Sequence, residues 1–165
     1  SILGEEVIFS YDDEPMEAAL LDICRSQGLT LGLAESMTGG LISSRITDIP
    51  GASDVYKGSI VAYSNSAKNQ ILNVLESEVI SEKAVEAMAV GAIQSLQCDV
   101  AIAVSGNAGP TATEGEVGRV WMATTVDGIT EAFTVKWPFD RSRIRQFTTI
   151  TVLNALRLRL LARNK

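Results

Sequence analysis

The amino-acid sequence predicts an α/β fold in which a mixed, mainly parallel five-stranded sheet carries helices on both faces. Strand-like and helix-like segments alternate along most of the chain, and this order favours parallel strands joined by helical crossovers. The apolar run Val100–Val104 is typical of a strand that is covered on both faces. Asp127-Gly128 between two apolar runs predicts a hairpin, which adds one antiparallel strand.

Helices and strands alternate through the first half of the chain. An apolar stripe predicts a helix over Pro15–Gln27, and Gly28 is typical of a helix end. The second helix should end before Pro50-Gly51, because these residues interrupt helical hydrogen bonding. The other predicted elements are strand Thr30–Glu35, helix Gly39–Thr47, strand Gly58–Ser64 and helix Ala67–Asn73.

The second half contains two longer helices and the hairpin. A helix begins at a Ser81 cap and continues to Leu96, and the last helix begins at Asp140 and continues to Ala162. The hairpin strands are Arg119–Val126 and Ile129–Lys136. We expect the inner side of the last helix to carry Ile144, Phe147, Thr151 and Leu158.

Composition indicates one globular domain, residues 14–165, preceded by a lead-in segment or linker, residues 1–13. We found no apolar run of membrane-spanning length and no signal-peptide pattern, so we expect a cytoplasmic protein with no membrane partner. The formal charge of −6 argues against nucleic acid as a partner. Cys24 and Cys98 lie among apolar residues, which predicts two core thiols.

The sequence contains no histidine. This excludes a Ser-His-Asp triad and a Cys-His pair, and it removes the commonest zinc ligand. If the protein is a hydrolase with a side-chain nucleophile, the general base must therefore be Lys, Tyr, Asp or Glu.

The segment Ala34–Gly40 joins a buried strand to a helix through hydroxyl residues and two glycines. Such a junction exposes unpaired backbone N–H groups at the positive end of a helix dipole, which favours an anion. A plain turn with a Thr38 cap explains the same residues equally well. In parallel sheets, ligands bind beyond the carboxyl ends of the strands, so loops after Ser36, Ser64 and Ser105 should converge on one crevice.

The second loop region offers a serine and a possible base. Ser53 precedes the second strand, and Tyr63 and Lys68 follow it. A serine nucleophile without histidine needs a nearby Lys or Tyr. Burial would have to lower the pKa of Lys68 from about 10.4 to about 7–8. The alternative to a catalytic pair is that Ser53 is an ordinary turn residue and that Lys68 is a solvated charge on a helix.

The third loop, Ser105–Thr111, again follows a buried strand and contains a Gly-x-x-Gly pattern. It is not a P-loop, because no Gly-Lys-Ser/Thr follows. Arg141 and Arg145 lie four residues apart on one face of the last helix and could clamp a phosphate or carboxylate. A solvated charged face explains these arginines equally well.

Three segments together carry a family resemblance. Leu33–Gly40 resembles the "AESCTGG" signature of the C-terminal domain of the competence/damage-inducible protein CinA, a family that includes the nicotinamide-nucleotide amidase PncC. Pro50–Ser53 with Tyr63–Asn65 and Lys68 is similar to its "PGAS…YSN..K" segment, and Ser105–Pro110 is similar to its "GIAGP" loop. The resemblance covers about residues 14–162 in the right order, including the closing helix with its two arginines.

The resemblance implies a three-layer α/β/α sandwich and hydrolysis of the carboxamide of nicotinamide mononucleotide, giving nicotinic acid mononucleotide and ammonia. It implies a serine-centred site without metal or cofactor, a small-molecule nucleotide substrate and a homo-oligomer. Residues 3–7 and 12–14 are similar to the stretch that joins this domain to an N-terminal molybdopterin-binding-like domain in full-length CinA, so we expect a piece of a longer protein. Carried over, the catalytic residues are Ser53, Tyr63 and Lys68, and the substrate-binding residues are Ser36, Thr38, Gly39, Gly40, Ser105, Gly106, Thr111, Arg141 and Arg145.

The chain departs from the family pattern at two places. Met37 stands where the family often has cysteine. The segment Thr111–Glu116 is short and poor in glycine, and Glu114 and Glu116 bring negative charge toward a proposed phosphate site. A non-catalytic nucleotide-binding or assembly domain of a CinA-type protein is therefore the alternative to an active amidase.

Overall fold

The computed structural model describes residues 14–111 and 115–163, so the predicted lead-in segment 1–13 lies outside the described residues. Short 3₁₀ turns at Ala52–Asp54 and Glu76–Glu78 were not predicted. The helices are α1 (Met16–Ser26), α2 (Leu41–Thr47), α3 (Asn65–Leu72), α4 (Glu82–Leu96) and α5 (Arg141–Ala162), and the strands are β1 (Leu31–Glu35), β2 (Tyr56–Val61), β3 (Val100–Gly106), β4 (Arg119–Val126) and β5 (Ile129–Lys136).

The five strands form one sheet in the order β2-β1-β3-β4-β5. β1 pairs in parallel with β2 and β3, whereas β4 pairs antiparallel with both β3 and β5. Four strands therefore point the same way and β4 alone is reversed, which confirms the predicted mixed sheet with one antiparallel strand. The carboxyl ends of β1, β2 and β3 lie at one edge of the sheet.

Helices cover both faces of the sheet and complete a three-layer α/β/α sandwich. The alternation along β3 shows how: Val100, Ile102 and Val104 face a core shared with α1, α2 and α5. Ala101 and Ala103 face a second core shared with α3 and α4. Large side chains fill one face and small ones the other, so both faces of a short strand are buried, as its continuous apolar run predicted.

The structure corrects the predicted inner side of α5. Ile144 is fully buried, but Phe147 is 42% exposed, and the buried positions include Thr148 and Thr149. The predicted core thiols are confirmed, because Cys24 and Cys98 are both buried. Burial raises the pKa of Cys24 to about 12 and that of Cys98 to about 11, so both remain protonated at neutral pH.

The amino ends of β1 and β3 are joined by Asp99. Its carboxylate accepts hydrogen bonds from the Thr30 hydroxyl at 2.6 Å and the Thr30 backbone N–H at 2.8 Å. These bonds lower the pKa of Asp99 in the folded protein. The stabilisation is therefore complete above the unfolded pKa of about 4 and is lost as the pH falls through the lowered folded value.

We expect Asp99→Asn to lower the free energy of unfolding by about 1 kcal/mol at pH 7, because a charge-assisted hydrogen bond at a solvated site is lost. The difference from the parent chain should shrink as the pH falls below about 4. Urea unfolding between pH 7 and pH 3 measures both quantities. A difference that stays constant over that range would contradict the linkage.

None of the described helices combines the length and the apolar composition needed to cross a membrane.

Candidate active site

Three loops meet beyond the carboxyl ends of β1, β2 and β3, as the sheet direction predicted. They enclose a cavity of about 310 Å³, which lies in the size range of small-molecule sites. The last helix closes this cavity with its first turn. The lining residues are Ser36, Met37, Tyr63, Asn65, Lys68, Ile80, Gly106, Asn107, Ala108, Gly109, Thr111 and Arg141.

Ser36 is the first residue after β1. Its backbone N–H donates to the Val104 carbonyl at 3.1 Å, and its carbonyl accepts from the Gly39 N–H at 2.9 Å. The residue is 4% exposed and faces the cavity. Among the described residues, we find no hydrogen-bond partner for the Ser36 hydroxyl. A hydroxyl in this position is available to a ligand.

Lys68 is buried although it lies on a short helix. The Ser64 side chain caps α3 by accepting from the Ala67 N–H, and Lys68 follows within the first turns. Lys68 is 4% exposed, and its Nζ donates to the Val79 carbonyl at 3.5 Å. The Ser105 hydroxyl donates to the same carbonyl at 2.7 Å. The lysine is therefore enclosed at the back of the cavity rather than solvated.

Arg141 joins two of the loops at the mouth of the cavity. Its Nη2 donates to the Tyr63 hydroxyl at 2.5 Å, and its Nη1 donates to the Gly109 carbonyl at 2.9 Å. Arg145, one turn later, donates to the Thr38 carbonyl at 2.6 Å. The start of α5 thus contacts all three loops through two guanidinium groups.

The cavity has a positive lining in a chain of net negative charge. Arg141 is cationic, Lys68 is a second basic lining residue, and no carboxylate lines the cavity within the described ranges. Cations concentrated in a partly enclosed site favour an anionic ligand. Glu116 does not oppose this, because its carboxylate pairs with Arg119 at 2.7 Å and Lys136 at 3.3 Å. Glu114 lies outside the described residues.

The structure does not bring the three predicted catalytic residues together. Ser53 lies in an exposed 3₁₀ turn before β2, whereas Tyr63 and Lys68 follow β2. The six residues of β2 separate the two ends by roughly 16 Å at the usual strand rise. Ser53 is therefore at the opposite edge of the sheet from the cavity, and Tyr63 and Lys68 share their site with Ser36 instead.

Five predicted substrate-binding residues support the loops but do not line the cavity. Thr38 and Ser105 are fully buried, and their hydroxyls bond within the protein. The other four predicted residues, Ser36, Gly106, Thr111 and Arg141, do line it. The supporting residues are Thr38, Gly39, Gly40, Ser105 and Arg145.

The predicted anion cradle at the start of α2 is already filled. The Glu35 carboxylate accepts from the backbone N–H groups of Gly40, Ile42 and Ser43 at 3.1, 3.1 and 2.9 Å. A substrate phosphate cannot use the same donors. We had not predicted Glu35, because nothing local in the sequence distinguishes a glutamate that turns toward the next helix from one that faces solvent.

The sequence model of the CinA C-terminal domain matches residues 13–160. The chain belongs to the CinA family. It is 40% identical over 162 residues to a CinA-like protein of Geotalea uraniireducens (strain Rf4), covering 94% of this chain and 39% of that protein. A CinA-like protein of Fervidobacterium nodosum is also 40% identical, over 94% of this chain and 40% of the relative. The chain thus spans about 40% of the length of these curated relatives.

Solved structures of CinA proteins share the fold. A competence or damage-inducible protein from Enterobacter asburiae superposes with a TM-score of 0.85 at 29% identity, over 88% of this chain and 96% of that one. A competence/damage inducible protein from Agrobacterium tumefaciens gives 0.81 at 32% identity, over 88% and 93%. The match to the CinA domain includes every described residue of the cavity.

Proposed function

We propose that this chain is an amidohydrolase that converts nicotinamide mononucleotide to nicotinic acid mononucleotide and ammonia in pyridine-nucleotide recycling. One observation carries the proposal: a single cavity joins the Ser36 hydroxyl, the buried Lys68 amine and the Tyr63 phenol to the cationic Arg141. A nucleophile, a base and an anion-binding group are what a phosphorylated amide requires. The family resemblance supplies the identity of the amide.

In the proposed reaction, Ser36 Oγ attacks the carboxamide carbon while neutral Lys68 accepts the hydroxyl proton. Lys68 then returns that proton to the amide nitrogen, so the C–N bond breaks and ammonia leaves an acyl-serine ester. Water attacks the ester, Lys68 accepts its proton, and the proton passes back to Ser36 Oγ as the carboxylic acid departs. This cycle requires Lys68 to begin as the neutral amine.

The amide of Met37 is our candidate oxyanion donor. Met37 lines the cavity directly after the proposed nucleophile, a position that supplies an oxyanion donor in other serine hydrolases. Among the described residues, we find no acceptor for the Met37 N–H. Such a donor contributes about 3–4 kcal/mol to the transition state. Tyr63 is proposed as a second proton-handling group at the mouth of the cavity.

The phosphate of the substrate is proposed to lie near Arg141, with Thr111 and the Gly106 loop beside it. Arg141 has the planar fork that phosphate groups bind, and it lines the mouth of the cavity. We propose further that the protein acts in the cytoplasm as a homo-oligomer.

The test is ammonia release from nicotinamide mononucleotide by the purified chain, with nicotinic acid mononucleotide quantified in parallel. We expect equal amounts of the two products, and a KM at least about tenfold higher for nicotinamide riboside, which lacks the phosphate. A chain that binds the mononucleotide in calorimetry without releasing ammonia would instead be a non-catalytic nucleotide-binding domain.

A further inference from the structure

The Glu35 carboxylate is fully buried at the end of β1, one residue before Ser36. One oxygen accepts from the Thr38 hydroxyl at 2.8 Å and from two backbone N–H groups of the α2 start. The other accepts from a third such N–H and from the Ser59 hydroxyl at 3.1 Å. Five donors therefore converge on a single carboxylate.

This arrangement places an internal anion where the first turn of a helix would otherwise attract an external one. The first N–H groups of a helix have no partner within the helix, and negative charge near them is stabilising. A buried carboxylate is costly unless hydrogen bonds satisfy it, so Glu35 and the start of α2 depend on each other. The segment between them, Ser36–Gly40, is consequently tied at both ends.

We infer that Glu35 is a positioning residue for Ser36, and this inference rests on the proposed amidase function. Ser36 is held by β1 on one side and by the segment anchored on Glu35 on the other. Gly39 and Gly40 adopt φ values of 60° and 91°, which glycine tolerates, and the carboxylate bonds to Gly40 keep this turn in place. The carboxylate acts on the reaction through Ser36 and does not touch the substrate.

Glu35→Gln is the sharpest test, because it preserves the size of the side chain and replaces one acceptor oxygen with an NH₂ group. Three of the five donors bond to one carboxylate oxygen and two bond to the other. The variant therefore loses either two or three hydrogen bonds, depending on which oxygen is replaced. We expect kcat for nicotinamide mononucleotide to fall about 100-fold with KM changed less than about threefold, as for a small displacement of a reacting group. Amide exchange at Gly40, Ile42 and Ser43 should become at least about tenfold faster.

Asp99→Asn is the matched control. Asp99 also accepts from a backbone N–H and a hydroxyl, but at the amino end of the same sheet. We expect this variant to keep the parent kcat. Thr38→Val is the second variant, to be used if Glu35→Gln does not fold. It removes only the hydrogen bond from the Thr38 hydroxyl to the Glu35 carboxylate, and we expect kcat to fall about fivefold.

The outcomes separate the two proposals. A Glu35→Gln chain that keeps more than a third of the parent kcat, or that changes KM alone, overturns the positioning role. A parent chain that releases no ammonia defeats the amidase proposal by itself. In that case amide exchange in Glu35→Gln still tests the positioning role of Glu35. Exchange at Gly40, Ile42 and Ser43 that equals the parent rate would show that Glu35 does not hold the Ser36 segment.

Discussion

Replacing Ser36 with alanine should lower kcat for ammonia release at least about 1,000-fold, because the proposed covalent step has no other attacking atom. The substitution removes one hydroxyl for which we find no partner among the described residues. The free energy of unfolding should therefore change by no more than about 0.5 kcal/mol. Steady-state kinetics and urea unfolding of the same preparation measure both effects.

Ser53→Ala is the natural control for this experiment. Ser53 is exposed at the amino end of β2, so we expect its loss to change kcat less than about twofold. The reverse result, with activity lost in Ser53→Ala and kept in Ser36→Ala, would contradict the proposed nucleophile. Activity kept in both variants would exclude a covalent serine mechanism at either residue.

The position of the cavity could be predicted from the sequence because it follows from strand direction. β1 and β3 are recognisable from their apolar runs; Ser36 directly follows β1, Ser105 is the residue before the last of β3, and glycines follow each serine within a few residues. Once the strands are known to be parallel, their carboxyl ends must share an edge of the sheet. Topology alone therefore brings Ser36 and the Gly106 loop together, without any knowledge of side-chain packing.

Ser53 shows where that reasoning fails. The predicted second strand began at Gly58, whereas β2 begins at Tyr56 and ends at Val61. Ser53 and Tyr63 lie close together in the sequence, but a strand separates them, so they lie at opposite edges of the sheet. A family motif records order along the chain, and only the strand boundaries convert that order into distance.

Side-chain partners were beyond prediction for a different reason. Thr148, Thr149 and Arg157 are buried on α5, although their polarity suggests an exposed face. Helical periodicity gives the spacing of the buried positions, but it does not show which polar side chains find a partner within the helix: Thr149 Oγ1 donates to the Arg145 carbonyl at 2.9 Å, and Arg157 Nε donates to Asn154 Oδ1 at 2.9 Å. Glu35 is a second case, since its partners on α2 and β2 become visible only in three dimensions.

Lys68→Met should abolish turnover without destabilising the fold. Lys68 is 4% exposed, and a buried amine carries a desolvation cost that a thioether of similar length does not. We therefore expect Tm to stay within about 3 °C of the parent value or to rise. Because the proposed base is lost, kcat should fall at least about 1,000-fold.

Lys83→Met is the matched control for this variant. The Lys83 side chain is 75% exposed and pairs only with Glu78 among the described ion pairs, so its removal should leave kcat within about twofold of the parent value.

A Lys68→Met chain whose Tm falls by more than about 10 °C would assign the lysine a structural role. A stable and fully active Lys68→Met chain would remove Lys68 from the mechanism, leaving Tyr63 as the remaining candidate base in the cavity. Loss of activity with Tm preserved is the result that a lysine kept for catalysis predicts.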